Sequence, residues 1–290
     1  LRARHSGAVI CQKPFAATLE DGQAMVAACR AAGGPLFVHE NFRCQRPWRK
    51  RAARVAAGGI RTSSFLRLSF RHARDIPADQ PCLAEEPGLA LTDAGLHLID
   101  LARWPMGEVV HVSCETQRLN PRVRGQGARL ALLRHASRAV SSVECSFFSR
   151  PAPDPFPQSL GRIEGDGGTP ELRKGHRLPH CGQGATVEAD VAPTLPGRGA
   201  RPWHLVQESG LAGNDDVIRA LAGEAEPCPS GACDPGTRAV TSAAIEAART
   251  RRTGSPAISA ARRFWTTAST RRPKTVALSS RCASPATVNG

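Results

Sequence analysis

Apolar positions along this chain alternate between strand-like runs and helical spacing. Ala8-Val9-Ile10-Cys11 is a short apolar run closed by Pro14 and predicts a buried strand. Thr18 then offers a helix cap with Asp21 three residues on. Leu19, Met25, Val26 and Cys29 recur at helical spacing, and Gly33-Gly34 stops the helix. Pro35-Leu36-Phe37-Val38 predicts a second strand. Strand, helix and strand within about 30 residues make one βαβ unit, so the two strands should be parallel.

Residues 46–57 read as a basic helix ending at Gly58-Gly59, and 65–70 alternate as a strand does. Residues 93–104 predict a helix with Leu96, Ile99, Leu101 and Trp104 on its apolar side and Pro105 directly after it. Strands follow: 109–114, then a hairpin of 129–134 with 140–148 around His135-Ala136-Ser137-Arg138, with Arg138 where a turn favours glycine. A second hairpin joins 159–164 to 169–173 around Gly165-Asp166-Gly167-Gly168, which puts Pro170 at a sheet edge or a strand start. Residues 174–200 are rich in Gly and Pro and carry no assigned element. Residues 203–221 and 239–249 predict helices. Beyond Gly254, Ser, Thr, Arg and Pro follow without period, which predicts a disordered or non-native tail.

Charge narrows the function classes. The formal net charge is +14, yet no acid follows Glu246, and nine bases fall between Arg249 and Arg281. Without those nine the chain carries only +5, so the basicity belongs to the tail and no nucleic-acid groove is expected. No apolar run approaches the roughly 18–20 residues of a membrane span. The ten cysteines are scattered and form no Cys-x-x-Cys pair, which suits reduced thiols in the cytoplasm. His176, His180 and Cys181 cluster, and Cys228 and Cys233 lie five apart, but neither spacing fits zinc and no metal site is expected.

Two segments could carry chemistry. Gln12-Lys13-Pro14 follows the first strand. Asp93-Ala94-Gly95-Leu96-His97-Leu98-Ile99-Asp100 opens a helix, and its Asp93 and His97, four apart, share one helix face. A carboxylate in reach of an imidazole fixes its orientation, and such an imidazole can take a hydroxyl proton as general base. A nearby lysine ammonium can hydrogen-bond the same oxygen as it becomes negative.

In this order and spacing the segments resemble the Gfo/Idh/MocA oxidoreductases. The family's Glu-Lys-Pro stands here as Gln12-Lys13-Pro14, and its Asp-x-Gly-x-His-x-x-Asp as Asp93, Gly95, His97 and Asp100. The resemblance, carried also by His39-Glu40-Asn41-Phe42-Arg43, the Gly165–Gly168 turn and residues 242–250, covers roughly residues 7–254. It implies an α/β fold: part of a Rossmann domain over residues 1–45, then an α+β domain with a large, mostly antiparallel sheet over 46–254, with 255–290 as the basic tail. It implies hydride transfer between NAD or NADP and a secondary alcohol of a sugar, cyclitol or related polyol. Lys13, Asp93 and His97 would be catalytic, with Asp93 orienting substrate and histidine. Gln12, Lys13 and Pro14 would meet the cofactor, and Asn41 and Arg43 the substrate. Asp100 would be structural. The open sheet face would pair subunits in a homo-oligomer.

The departures predict a compromised enzyme. The Gly-rich dinucleotide turn is missing: Gly125-Gln126-Gly127 and Gly182-Gln183-Gly184 do not link strand to helix in a βαβ unit. Gln12 replaces a glutamate, and the chain contains no tyrosine. An N-terminally truncated enzyme with impaired cofactor binding is therefore expected. The alternative is a non-catalytic remnant or a sheet-mediated interaction subunit.

Overall fold

The computed structural model describes residues 7–16, 18–182, 185–194, 201–225 and 234–251. The tail at 255–290 and Cys228 and Cys233 lie outside them.

β1 (Val9–Gln12) and β2 (Leu36–His39) are parallel, with Val9 opposite Leu36 and Gln12 opposite His39. α1 (Leu19–Ala31) connects them and starts at the expected cap. Thr18 Oγ1 accepts the Asp21 N–H at 3.1 Å and donates to the Asp21 carboxylate at 2.8 Å. Phe15, Cys29, Leu36 and Val38 close a small core between helix and strands.

β2 leads into α2 (Arg46–Arg54), with Pro47 in its first turn, where a missing N–H loses no ladder bond. A π-helical turn over Val55–Gly59 follows, and Gly58 at φ +80° bends the chain out of it. The remaining strands form one sheet: β3 (Ser63–Arg71), β4 (Val109–Gln117), β5 (Ala128–His135), β6 (Val140–Ser146), β7 (Leu160–Gly165), β8 (Thr169–Leu172), β9 (Arg177–Gly182) and β10 (Ala185–Asp190). Its order is β10-β9-β8-β7-β3-β6-β5-β4. Among the described residues β3–β6 is its single parallel pair. The helices α3 (Ile76–Asp79), α4 (Leu96–Met106), α5 (His204–Leu221) and α6 (Asp234–Thr250) complete the mixed α/β architecture.

One sheet face is the core. Alternate residues of β3, Leu66 and Leu68, are fully buried against Leu98 and Leu101 of α4, and Val240 and Ala244 of α6 join the same cluster. Burying each large aliphatic side chain contributes about 1.5–3 kcal/mol, so α4 is held chiefly by this face. The other sheet face is open. On β5, Leu130 and Leu132 are 46% and 48% exposed beside the Arg67–Glu144 and Arg71–Glu144 ion pairs. Among the described residues no helix is long and apolar enough to cross a membrane.

Two expectations change and a third is narrowed to one of its alternatives. Pro105 lies inside α4, not after it; only Met106 follows, so the helix ends within the turn that proline disrupts. Pro170 is the second residue of β8, as a strand start allows, but β8 is an inner strand with Pro170 opposite His180 on β9. Residues 177–182 and 185–190 form the antiparallel pair of β9 and β10, where the sequence assigned no element. The Arg138 turn is as expected, with φ +73° at that residue.

Candidate active site

Lys13 sits at the carboxyl end of β1, where open α/β sheets expose their ligand-binding ends. The peptide between it and Pro14 is cis. Its ammonium donates to Asp93 Oδ1 at 2.6 Å, across 80 residues of sequence, and both side chains are about three-quarters buried. Gln12 and Pro14 are exposed beside it, and the Gln12 side-chain oxygen accepts the Lys13 N–H at 3.2 Å.

Asp93 lies in a π-helical turn, Leu91–Gly95, that runs straight into α4. Such turns are frequent at functional sites. The glycine of the motif has a packing reason. A Cβ on Gly95 would stand 2.5 Å from the Arg129 guanidinium and 2.6 Å from the Ala90 carbonyl oxygen. Only glycine lets this turn sit down on β5.

His97 is buried one turn further on. Its ring lies flat on Phe42, with centroids 4.1 Å apart and planes 6° from parallel. Its Nδ1 is hydrogen-bonded to Glu40, the residue that follows β2. Glu40 is itself fixed, because its Oε1 also accepts the Phe42 N–H at 3.2 Å. With Nδ1 engaged, Nε2 is the ring nitrogen left for a reacting proton.

The parallel strand pair and the start of α4 therefore bring Lys13, Asp93 and Glu40–His97 together with pairings other than those expected. Asp93 holds the lysine, and Glu40 holds the histidine. The sequence reading missed Glu40. Its signal was an acid at the carboxyl end of the strand that neighbours the Lys13 strand.

The two expected substrate contacts, Asn41 and Arg43, both have partners within the chain. Arg43 makes a paired salt bridge with Asp100, its Nη2 2.6 Å from Oδ1, and lies over the Trp104 ring. Asp100 Oδ1 also accepts from the Thr237 hydroxyl at 3.0 Å, which links α4 to α6. This geometry makes Arg43 a buried structural partner of Asp100. Asn41 donates to the Ser209 hydroxyl of α5 at 3.0 Å.

Other chemistry is disfavoured at this site. Burial pushes the Cys44 and Cys145 thiols up to about 12 and the Cys114 thiol to about 11, so none of these supplies a thiolate at neutral pH. Among the described residues no group of three His, Cys, Asp or Glu side chains is placed to hold a metal ion. A cleft of about 160 Å³ rimmed by Arg74, Arg122 and Arg150 has neither Lys13, Asp93 nor His97 in its lining.

One neighbouring histidine has a measurable signature. Burial pushes His72 down to about 4, against the opposing fields of Asp154 and Asp93 and with Arg74 adding to the depression. Its folded value lies below the usual 6.5, so its contribution to stability is complete above pH 6.5 and is lost as the pH falls towards 4. About 2 kcal/mol is gone by pH 5. Urea unfolding at pH 7 and pH 5 is expected to show a stability loss about 2 kcal/mol smaller in His72→Phe than in the parent. An identical pH dependence in the two proteins would refute it.

Residues 40–169 match the GFO/IDH/MocA C-terminal domain. The chain is 38% identical over 253 residues to D-apiose dehydrogenase of Rhizobium rhizogenes, covering 87% of this chain and 73% of that protein. The chain belongs to the Gfo/Idh/MocA family. It is equally similar, at 38% over 253 residues, to D-apiose dehydrogenase of Paraburkholderia graminis, of which it covers 68%. A crystal structure of an oxidoreductase from Agrobacterium radiobacter, in complex with NAD+, L-tartaric acid and magnesium, superposes with a TM-score of 0.83 at 38% identity. That match covers 86% of this chain and 72% of the other. Levoglucosan dehydrogenase in complex with NADH and L-sorbose shares the fold, with a TM-score of 0.71 at 20% identity over 88% of this chain and 74% of its own. As a Gfo/Idh/MocA protein the chain is an oxidoreductase, and the α/β fold expected from its motifs is the fold it has.

Proposed function

We propose that this Gfo/Idh/MocA chain is an NAD-dependent dehydrogenase acting on a secondary alcohol of a sugar or related polyol. The observation that carries the reading is the Lys13–Asp93 pair held beside the Glu40–His97 pair at the carboxyl end of two parallel strands. D-Apiose is the first substrate to test, because two relatives at 38% identity are D-apiose dehydrogenases. Residues 1–45 would form the cofactor side and 46–254 the substrate side.

The exposed Gln12 and Pro14 and the partly buried Lys13 would hold the nicotinamide end of NAD, because they stand at the carboxyl end of β1. When bound, NAD supplies the acceptor for the hydride on the alcohol carbon. The chain's own residues do the rest. Asp93 holds the Lys13 ammonium in place, and the ammonium donates to the reacting hydroxyl oxygen. His97 Nε2 takes the hydroxyl proton as the carbon–hydrogen bond breaks, which leaves a carbonyl. Glu40, bound at Nδ1, holds the ring in that orientation and stabilises the imidazolium that results. The open sheet face with Leu130 and Leu132 would pair with a second copy.

Titration calorimetry with NADH, followed by absorbance at 340 nm with NAD+ and D-apiose, tests this. Cofactor heat and turnover support the reading. Lys13→Met should lower kcat/KM about 10²-fold or more while the protein stays folded. No heat at millimolar NADH would overturn it in favour of a non-catalytic subunit.

A further inference from the structure

The residue directly after β3 continues its inward-facing row. Leu66, Leu68 and Phe70 point to the core, and His72, next in the period of two, is 1% exposed. Its backbone stays in the ladder: the His72 N–H donates to the Ser146 carbonyl at 2.9 Å, and its own carbonyl accepts the Ser149 N–H at 3.1 Å. The ring is therefore anchored by its own backbone bonds directly after β3.

Its tautomer follows from its contacts. Nδ1 accepts the Arg74 backbone N–H at 3.1 Å, so in the neutral ring the proton sits on Nε2. That Nε2–H is sealed from solvent and finds no acceptor among the described residues. An unpaired buried donor is disfavoured, so an acceptor brought by a bound molecule would remove its cost.

The walls around it are aromatic. Phe70, Phe156 and Phe147 stand 4.9, 4.7 and 5.2 Å from the His72 ring. The same row leads to the candidate base, because Phe70 meets Phe42 at 6.0 Å and Phe42 stacks on His97. The Asp93 carboxylate is near enough for its field to act on His72. A single donor set in an apolar wall, next to a proton-transfer pair, is the usual make-up of a small-molecule site.

We propose that His72 is a specificity-determining residue whose Nε2–H donates to an oxygen of the bound polyol other than the reacting hydroxyl. This rests on the reading of Lys13 and His97 as a sugar-oxidising site. The phenyl walls would receive the C–H face of the polyol, and His72 would select those polyols that place an oxygen at Nε2. An analogue lacking that oxygen would leave the donor unpaired, which is how such sites reject near-isosteres.

The test uses the full chain with ¹⁵N-labelled histidine, saturated with NADH so that no turnover occurs, and titrated with D-apiose. The expected result is that the ring resonances of both His72 and His97 shift. A shift at His97 with His72 unmoved overturns the proposal and leaves the parent reading standing. No shift at either histidine overturns both. Kinetics give a second arm: His72→Phe, which keeps a flat ring without the donor, should raise KM about tenfold, and His72→Gln should restore part of the loss. A folded His72→Phe protein with unchanged KM also overturns the proposal. If that variant does not fold, the titration of the parent protein decides.

Discussion

Replacement of His97 by asparagine is expected to lower kcat for D-apiose oxidation by about 10²–10⁴-fold, the usual contribution of a positioned acid–base group. KM should change much less, because the Lys13 ammonium still meets the substrate hydroxyl. Asparagine suits the test, since its amide can still bond the Glu40 carboxylate that now holds Nδ1. The loss should be incomplete, because Lys13 still stabilises the developing oxyanion. Glu40→Gln gives the matching control. It keeps the shape and the Phe42 contact but removes the charge that stabilises the imidazolium, so it should lose rate without losing the fold. Steady-state kinetics at 340 nm with circular dichroism to check folding decide the matter. A loss of less than tenfold in kcat for a folded His97→Asn protein would remove histidine from the proton-transfer role.

The sequence disclosed which residues meet at this site better than it disclosed how they pair. Lys13, Asp93 and His97 were visible because each sits at a position that local pattern marks: a strand end, a helix start and the same face one turn on. The pairing was misread for a physical reason. Spacing of four puts Asp93 and His97 on one face but does not choose their partners, and Asp93 is taken by Lys13, 80 residues away in sequence. Glu40 lies 57 residues from His97, and no periodicity reports a contact of that range. The β9–β10 pair was hidden in a similar way. Gly175, Pro179 and Gly182 read as breakers locally, but β8 supplies a paired edge that makes strand the better conformation. The Thr18 cap and the parallel β1–β2 pair were legible because both depend on chemistry a few residues wide or on the βαβ rule.

The last acid of the motif, Asp100, should matter to stability more than to chemistry. Its side chain is 3% exposed and Arg43's is 9%, so the pair is desolvated and must satisfy itself. Asp100 also takes the Thr237 hydroxyl, which in turn accepts from Arg103 Nη1 at 2.6 Å. One carboxylate thereby fastens the segment after β2, the helix α4 that bears His97, and α6. Asp100→Asn leaves a buried guanidinium without its counter-charge, and breaking such a pair from one side typically costs about 3–5 kcal/mol. For a domain of this size that corresponds to a fall in Tm of roughly 6–20 °C. The double replacement Arg43→Met with Asp100→Leu removes both charges and should recover much of the loss, since an apolar pair of similar volume is often as stable as the ion pair it replaces. Thermal and urea unfolding of Arg43→Met, Asp100→Leu and the double variant measure the coupling directly. If Asp100→Asn unfolds within 1 kcal/mol of the parent, the pair contributes no more than a surface salt bridge, and the placement of α4 beneath the reacting groups must come from its apolar face alone.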